Sequence, residues 1–275
     1  MTTQAVILLG GKGTRIQSLY GDRPKCLVPV AGKPILLWQL EWLRNGGIKS
    51  VHLAAGYMAD VLRDWLKTDA PKDMKITFSV EPEPRGTGGA IKFAEPWIRS
   101  DPFFVLNGDS LTPCLDFQTL EKEHLNGGRR TEDGGRRTEV GGQRSEIRDQ
   151  GSESPNRQSP IPNSPDVTLG VAQIEKTGRY GTVEFDEQNR VTAFLEKAER
   201  ENGWINTGVY CISRRALDAI EPDKNISIET DIFPALALAG QLRVFRAEPP
   251  LLDMGTPEGL ASMERFLNSK PETAI

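Results

Sequence analysis

Apolar runs and amphipathic stretches alternate along the first hundred residues. Ala5–Leu9 (AVILL) is long enough, and rich enough in branched side chains, for a buried central strand. Leu36, Leu40 and Leu43 then recur at helical spacing, in a segment opened by Gly32-Lys33-Pro34 and closed by Gly46-Gly47. Ile48–Ala55 predicts a second strand, Met58–Lys67 a helix burying Val61, Leu62 and Trp65, and Lys75–Val80 (KITFSV) a half-buried strand. A helix opens in Glu81–Ala90 and runs to about Ile98, and Phe103–Leu106 reads as a fourth buried strand. Strand and helix in alternation predict an α/β fold around a parallel sheet with right-handed crossovers.

The pattern breaks between Asn126 and Pro165. GGRRTED, GGRRTEV and GGQRSEI repeat there, followed by Ser/Pro/Asn-rich sequence. The repeats carry at most one apolar residue each and begin with two glycines, which argues against a coiled coil. Seven arginines face six carboxylates in this stretch, so it is no basic arm either. It reads as a disordered surface insert in a connection between helix and strand. Order resumes with strands at Val167–Ile174, Arg179–Asp186 and Val191–Glu196, the last two joined by the hairpin turn Asp186–Arg190, and at Trp204–Ser213. Helices near Arg214–Ile220 and Ile228–Ala239, a strand at Arg243–Arg246, and a helix Pro257–Leu267 capped by Thr256 complete the chain.

Composition narrows the function. The 275 residues carry a net charge of −4 spread along the chain, which argues against a nucleic-acid or membrane-surface role. Cys26, Cys114 and Cys211 are scattered, so disulfides and structural zinc are not expected and a reducing cytoplasm fits. Ala5–Leu9 is too short to span a bilayer.

The chemistry is concentrated in two Gly-rich turns. LGGKGTR (Leu9–Arg15) leaves the first strand directly, and its backbone amides and cations make a phosphate cradle. It is not a Walker loop, because Gly13 follows Lys12. Nor is it a dinucleotide fingerprint, because position 16 is Ile and the second strand ends in VHLAAG without an acid. That excludes a nicotinamide oxidoreductase. Arg23-Pro24-Lys25 follows within reach, and EPEPRGTGGA (Glu81–Ala90) forms the second turn. Asp109 stands just past a central strand, where open α/β sheets bind ligands.

Six blocks in order carry a resemblance over nearly the whole chain outside the insert. LGGKGTR with Lys25, EPEPRGTGGA, LNGD, RYGTVEFD with FLEK, INTGVY and LDMGTPE resemble the sugar-1-phosphate nucleotidyltransferases. RYGTVEFD, FLEK and INTGVY look most like the D-glycero-α-D-manno-heptose 1-phosphate guanylyltransferases. Cys26 stands where proline is common and Arg85 where an apolar residue is usual.

The resemblance implies a Rossmann-like three-layer α/β/α fold. It would be one domain over 1–275, with a mostly parallel central sheet, a smaller sugar-binding β portion and the 126–165 insert within it. The implied reaction joins a nucleoside triphosphate, GTP being favoured, to a sugar 1-phosphate and releases pyrophosphate. Leu9, Gly10, Gly11, Gly13 and Thr14 would cradle the triphosphate, and Glu81, Gly86 and Thr87 would face the base or ribose. Arg15 and Lys25 would be the catalytic cations. Asp109 and Asp253 would hold Mg²⁺, and Gly181, Glu196, Lys197 and Asn206 would bind the sugar and its phosphate. The partners expected are those two small molecules, with a homo-oligomer left open. The alternatives are a uridylyl- or thymidylyltransferase acting on a hexose 1-phosphate, and an inactive regulator that binds a nucleotide-sugar.

Overall fold

A computed structural model describes residues 3–11, 16, 21, 23–127, 164–177, 180–195 and 201–269. Residues 128–163, nearly all of the insert, lie outside that set.

Four parallel strands form the centre of a mixed sheet. β1 (Gln4–Leu9) runs between β4 (Ser50–Ala55) and β6 (Phe103–Asn107), and β5 (Lys75–Val80) lies beyond β4. Two short strands, β2 (Pro29–Val30) and β3 (Lys33–Pro34), make a hairpin just before helix α1 (Ile35–Asn45). Helices α2 (Ala59–Thr68) and α3 (Gly86–Ala94) complete the crossovers. β11 (Glu201–Ile212) pairs antiparallel with β6 and turns the sheet toward its second half. There β8 (Val167–Lys176) lies antiparallel to β11 and parallel to β12 (Leu242–Ala247). β9 (Thr182–Phe185) and β10 (Val191–Leu195) extend the sheet as the expected hairpin.

Side chains alternate across the strands, as pleating demands. Ala5, Ile7 and Leu9 of β1 enter the apolar layer beneath α1, α2 and two further helices, α4 (Phe117–Leu125) and α6 (Pro257–Ser269). Val6 enters the opposite layer, with Ile91 of α3 and with Phe233 and Leu236 of α5 (Phe233–Leu238). Helices thus cover both faces, giving the expected three layers.

Three elements depart from the periodicity. The sequence implies a helix ahead of the insert but does not mark the bounds of α4. Asp116 caps it by accepting from the amides of Gln118 and Thr119, and only Phe117, Leu120 and His124 face the core. Ile228–Ala239 reads as one helix but begins as a π turn, Ile228–Ile232, ahead of α5. Arg214–Ala219 is 3₁₀ rather than α-helical. Among the described residues, no helix is long and apolar enough to cross a membrane.

Both histidines are structural. His52 is fully buried between the Thr77 and Ser79 hydroxyls, at 2.9 and 3.0 Å, and stacks on Trp97. His124 is fully buried between Thr168 and Ser213, each at 2.9 Å. Burial lowers both imidazoles to about 4. A depressed histidine stabilises the fold fully above its unfolded pKa of about 6.5 and loses that contribution as pH falls to about 4. The unfolding free energy should therefore drop in acid, with the pair contributing a slope of up to about 2.7 kcal/mol per pH unit. Urea titrations between pH 7 and 4 check this. Replacing His124 by Asn should remove up to half of that slope, and an unchanged slope would contradict the assignment.

Candidate active site

The carboxyl ends of the parallel strands meet in one place. Gly10 follows β1, Gly56 follows β4, Glu81 follows β5, and Gly108-Asp109 follows β6. Backbone bonds join these ends, with the Gly108 amide donating to Leu8 O at 3.1 Å and the Glu81 amide to Ala55 O at 2.9 Å. Two cavities open there.

The first, about 400 Å³, is lined by Leu9, Gly10, Gly11 and the second Gly-rich turn from Glu81 to Thr87. The second, about 440 Å³, is lined by Tyr180, Asn206, Thr207, Gly208 and Asp253. Lys25, Asn107 and Asp109 line both. At this shared wall the Lys25 ammonium donates to Asp109 Oδ2 at 2.5 Å. Lys25 stands at the start of a 3₁₀ turn, Lys25–Leu27, pinned by the burial of Cys26 and Leu27. Cys26 also lines the first cavity, and burial pushes its thiol up to about 12, so it stays protonated and unreactive.

Asp109 and Asp253 come together through a two-residue ladder. β7 (Ser110–Leu111) pairs antiparallel with β13 (Leu252–Asp253), placing Asp253 opposite Ser110. The Met254 amide donates to Asp109 O at 3.0 Å. Gln39, buried on α1, donates to the carbonyls of Asn107 and Ser110 at 2.8 and 3.0 Å and fixes the strand exit. Asp253 accepts from the Gly255 amide at 2.7 Å and from the Tyr180 hydroxyl at 2.9 Å. Among the described residues, no three His, Cys, Asp or Glu side chains gather as a metal site. Two carboxylates on one cavity wall fit Mg²⁺, which commonly takes one or two carboxylates and draws its other ligands from phosphates and water. Asp109 already holds one cation, the Lys25 ammonium, in this arrangement.

Glu81 is buried at the back of the first cavity, with Oε2 only 3.2 Å from where a Cβ on Gly10 would sit. Burial raises its carboxyl to about 7, against the pull of Arg85. Arg85 pairs with Asp223 and lies over the Phe93 ring at 4.8 Å.

Gly86 takes φ +70°, and a Cβ there would meet Ile226 O at 2.5 Å. The Gly88 amide donates to the same carbonyl at 2.8 Å. The close backbone approach that this turn permits is filled by the chain's own Ile226, while Gly86 and Thr87 still face the cavity.

The second cavity depends on a bulge in β11, where its register on β8 shifts between Asn206 and Tyr210. Gly208, with φ +75°, makes the bend, and a Cβ on it would strike the Asn107 side chain. The bulge turns Asn206 into the cavity.

Of the residues singled out from the sequence, Lys25, Asp109, Asp253, Asn206, Glu81, Gly86, Thr87, Leu9, Gly10 and Gly11 line this pair of cavities. Gly181 lines neither and lies beside Tyr180. Gly13, Thr14, Arg15, Glu196 and Lys197 lie outside the described residues. Tyr180, Asn107 and Gln39 were missed. Tyr180 and Asn107 adjoin residues already singled out, whereas Gln39 looks like any helical position.

Comparison with known proteins identifies the family. The chain matches the family model described as Nucleotidyl transferase over residues 4–132 and 158–270. It is 33% identical over 272 residues to the mannose-1-phosphate guanylyltransferase catalytic subunit beta of Drosophila melanogaster, covering 97% of this chain and 63% of that relative. The chain thus spans less than two thirds of that protein's length. It is 31% identical over 226 residues to the D-glycero-alpha-D-manno-heptose 1-phosphate guanylyltransferase of Campylobacter jejuni, covering 82% of this chain and 83% of the relative. HddC from Yersinia pseudotuberculosis superposes with a TM-score of 0.75 at 29% identity, covering 97% of this chain and all of that one, and is also known complexed with GMP-PN. With its model matched on both sides of the insert, and with relatives above 30% identity along most of the chain, this protein belongs to the nucleotidyl transferase family.

Proposed function

We propose that the chain condenses GTP with the 1-phosphate of a manno-configured hexose or heptose, releasing pyrophosphate. The observation that carries this reading is the Lys25–Asp109 pair on the wall shared by two cavities. Two substrates seated in those cavities would meet there.

The triphosphate would lie in the first cavity, against Gly10 and Gly11. The base reaches Glu81. A carboxylate only accepts hydrogen bonds, and guanine's N1–H and 2-amino group offer two adjacent donors. Uracil and thymine flank their single N3–H with carbonyl oxygens that a carboxylate repels. This favours GTP, and the relatives named for guanylyl transfer agree.

The sugar phosphate occupies the second cavity, near Asn206 and Tyr180. Its second pKa is about 6, so it is already the nucleophile at neutral pH and needs no general base. Lys25 neutralises charge that develops as its oxygen attacks the α-phosphorus. Arg15 shares that role, while Glu196 and Lys197 hold the sugar hydroxyls and phosphate. Asp109 and Asp253 would hold Mg²⁺, which when bound neutralises the triphosphate and the departing pyrophosphate.

Pyrophosphate release tests the reading, with GTP, UTP, dTTP and CTP assayed against mannose, glucose and heptose 1-phosphates. GTP with a manno-configured sugar should lead by about tenfold or more in kcat/KM. Equal or better turnover with UTP or dTTP and glucose 1-phosphate would overturn it.

Lys25→Gln should lower kcat about a hundredfold or more. Asp109→Asn should abolish turnover while moving Tm by no more than about 4 °C, since a partly exposed ion pair contributes little to folding. Normal turnover in either variant would refute these roles.

Glu81 adds a pH signature. Its raised carboxyl stabilises the fold below its unfolded pKa of about 4.5, and that contribution is lost as pH rises through about 7. Glu81→Gln should therefore gain stability relative to the native chain at pH 8 compared with pH 5. It should also raise KM for GTP about tenfold, and remove the rise in that KM below about pH 7. A KM for GTP indifferent to the substitution would exclude base recognition by Glu81.

A further inference from the structure

The two cavities are also joined behind their walls. Tyr210 of β11 is completely buried, and its ring packs edge-on against Phe233 with centroids 5.3 Å apart. Its hydroxyl donates to Glu229 Oε1 at 3.0 Å and accepts from Asn206 Nδ2 at 2.9 Å. The other carboxylate oxygen of Glu229 accepts from the Thr87 hydroxyl at 3.2 Å and from the Ser227 hydroxyl at 3.3 Å. Thr87 lines the first cavity and Asn206 the second.

The direction of these bonds is forced. A carboxylate can only accept, so the Tyr210 proton goes to Glu229, which leaves the phenol's lone pairs to accept from the Asn206 amide. Burial and the neighbouring Glu229 charge raise the phenol well above its usual value, so it remains a donor. Asn206 is then fixed at both ends, because its Oδ1 accepts from the Gly208 amide at 2.7 Å. Thr87 is held likewise, with Oγ1 accepting from the Ile228 amide at 2.9 Å. Glu229 sits in the π turn ahead of α5, an irregularity met often at functional sites.

We infer that Glu229, acting through the Tyr210 hydroxyl, is a positioning residue that sets the orientation of Asn206 in the sugar-phosphate cavity and of Thr87 in the nucleotide cavity together. It touches neither substrate, and it makes the alignment of one pocket depend on the other. The inference rests on the transferase reading for its kinetic consequence but not for the network itself.

Glu229→Gln tests it with no change in size. An amide has one acceptor and one donor end, so it cannot receive both the Tyr210 and the Thr87 protons. Exchange of the Asn206 side-chain amide protons, followed by nitrogen-15 NMR on the full-length protein, should quicken about tenfold or more while Tm and the circular dichroism stay near native values. With GTP and the best sugar 1-phosphate, kcat should fall about tenfold or more. Asn206→Ala should then cost much less in the Glu229→Gln background than in the native one. Tyr210→Phe should reproduce these effects, and Thr230→Ala, on the same turn but outside the network, should not. Unchanged amide exchange in both Glu229→Gln and Tyr210→Phe would overturn the network. Full additivity with Asn206→Ala would overturn the coupling. Absence of turnover in the native chain with every substrate pair would count against the transferase reading, while the amide exchange would still decide the network.

Discussion

The site depends on placing one lysine against one aspartate at the wall between two cavities. Asp109 is more than a third exposed, so the pair adds no more than about 1 kcal/mol to folding. Its importance is positional. In the proposed function, this ammonium and carboxylate mark where phosphate charge would be met from one side by a fixed cation and from the other by carboxylates that would take a metal. The sheet builds that junction from strand ends, which deliver Gly10, Glu81 and Asp109 to one edge without long loops.

The scaffolding around that junction is mostly backbone. A two-residue ladder carries Asp253 to Asp109, and Gln39 clamps the exit of β6 from below. A bulge at Gly208 swings Asn206 inward. The second Gly-rich turn is shaped by the Ile226 carbonyl packed against it as much as by any ligand. These are small devices of low individual energy. Their accuracy matters because phosphoryl transfer is governed by alignment and electrostatics rather than by proton transfer.

Much of this was legible in the sequence. Continuous apolar runs such as Ala5–Leu9 and Phe103–Leu106 announced the central strands, and ordered glycine and acidic blocks announced the edge they lead to. Other parts carry no readable period. Ser110–Leu111 and Leu252–Asp253 are too short to show alternation, so their pairing is not legible in the sequence. Helix α4 has only three core-facing residues among charged ones, and it adjoins the insert. Tyr210 reads as another core aromatic, because nothing in a strand pattern says where a hydroxyl finds its partner. Gly86 stands where the resemblance puts the base or ribose, yet the room at its Cα is filled by the chain's own backbone.

The most direct measurement is a crystal structure with a non-hydrolysable GTP analogue, Mg²⁺ and mannose 1-phosphate bound together. The α-phosphate should lie within hydrogen-bond reach of Lys25 Nζ, with one metal ion shared by Asp109 and Asp253. A sugar-phosphate oxygen should stand about 3–3.5 Å from the α-phosphorus. An α-phosphate bound away from Lys25, or the two ligands seated in cavities that do not meet at Asp109, would contradict that arrangement.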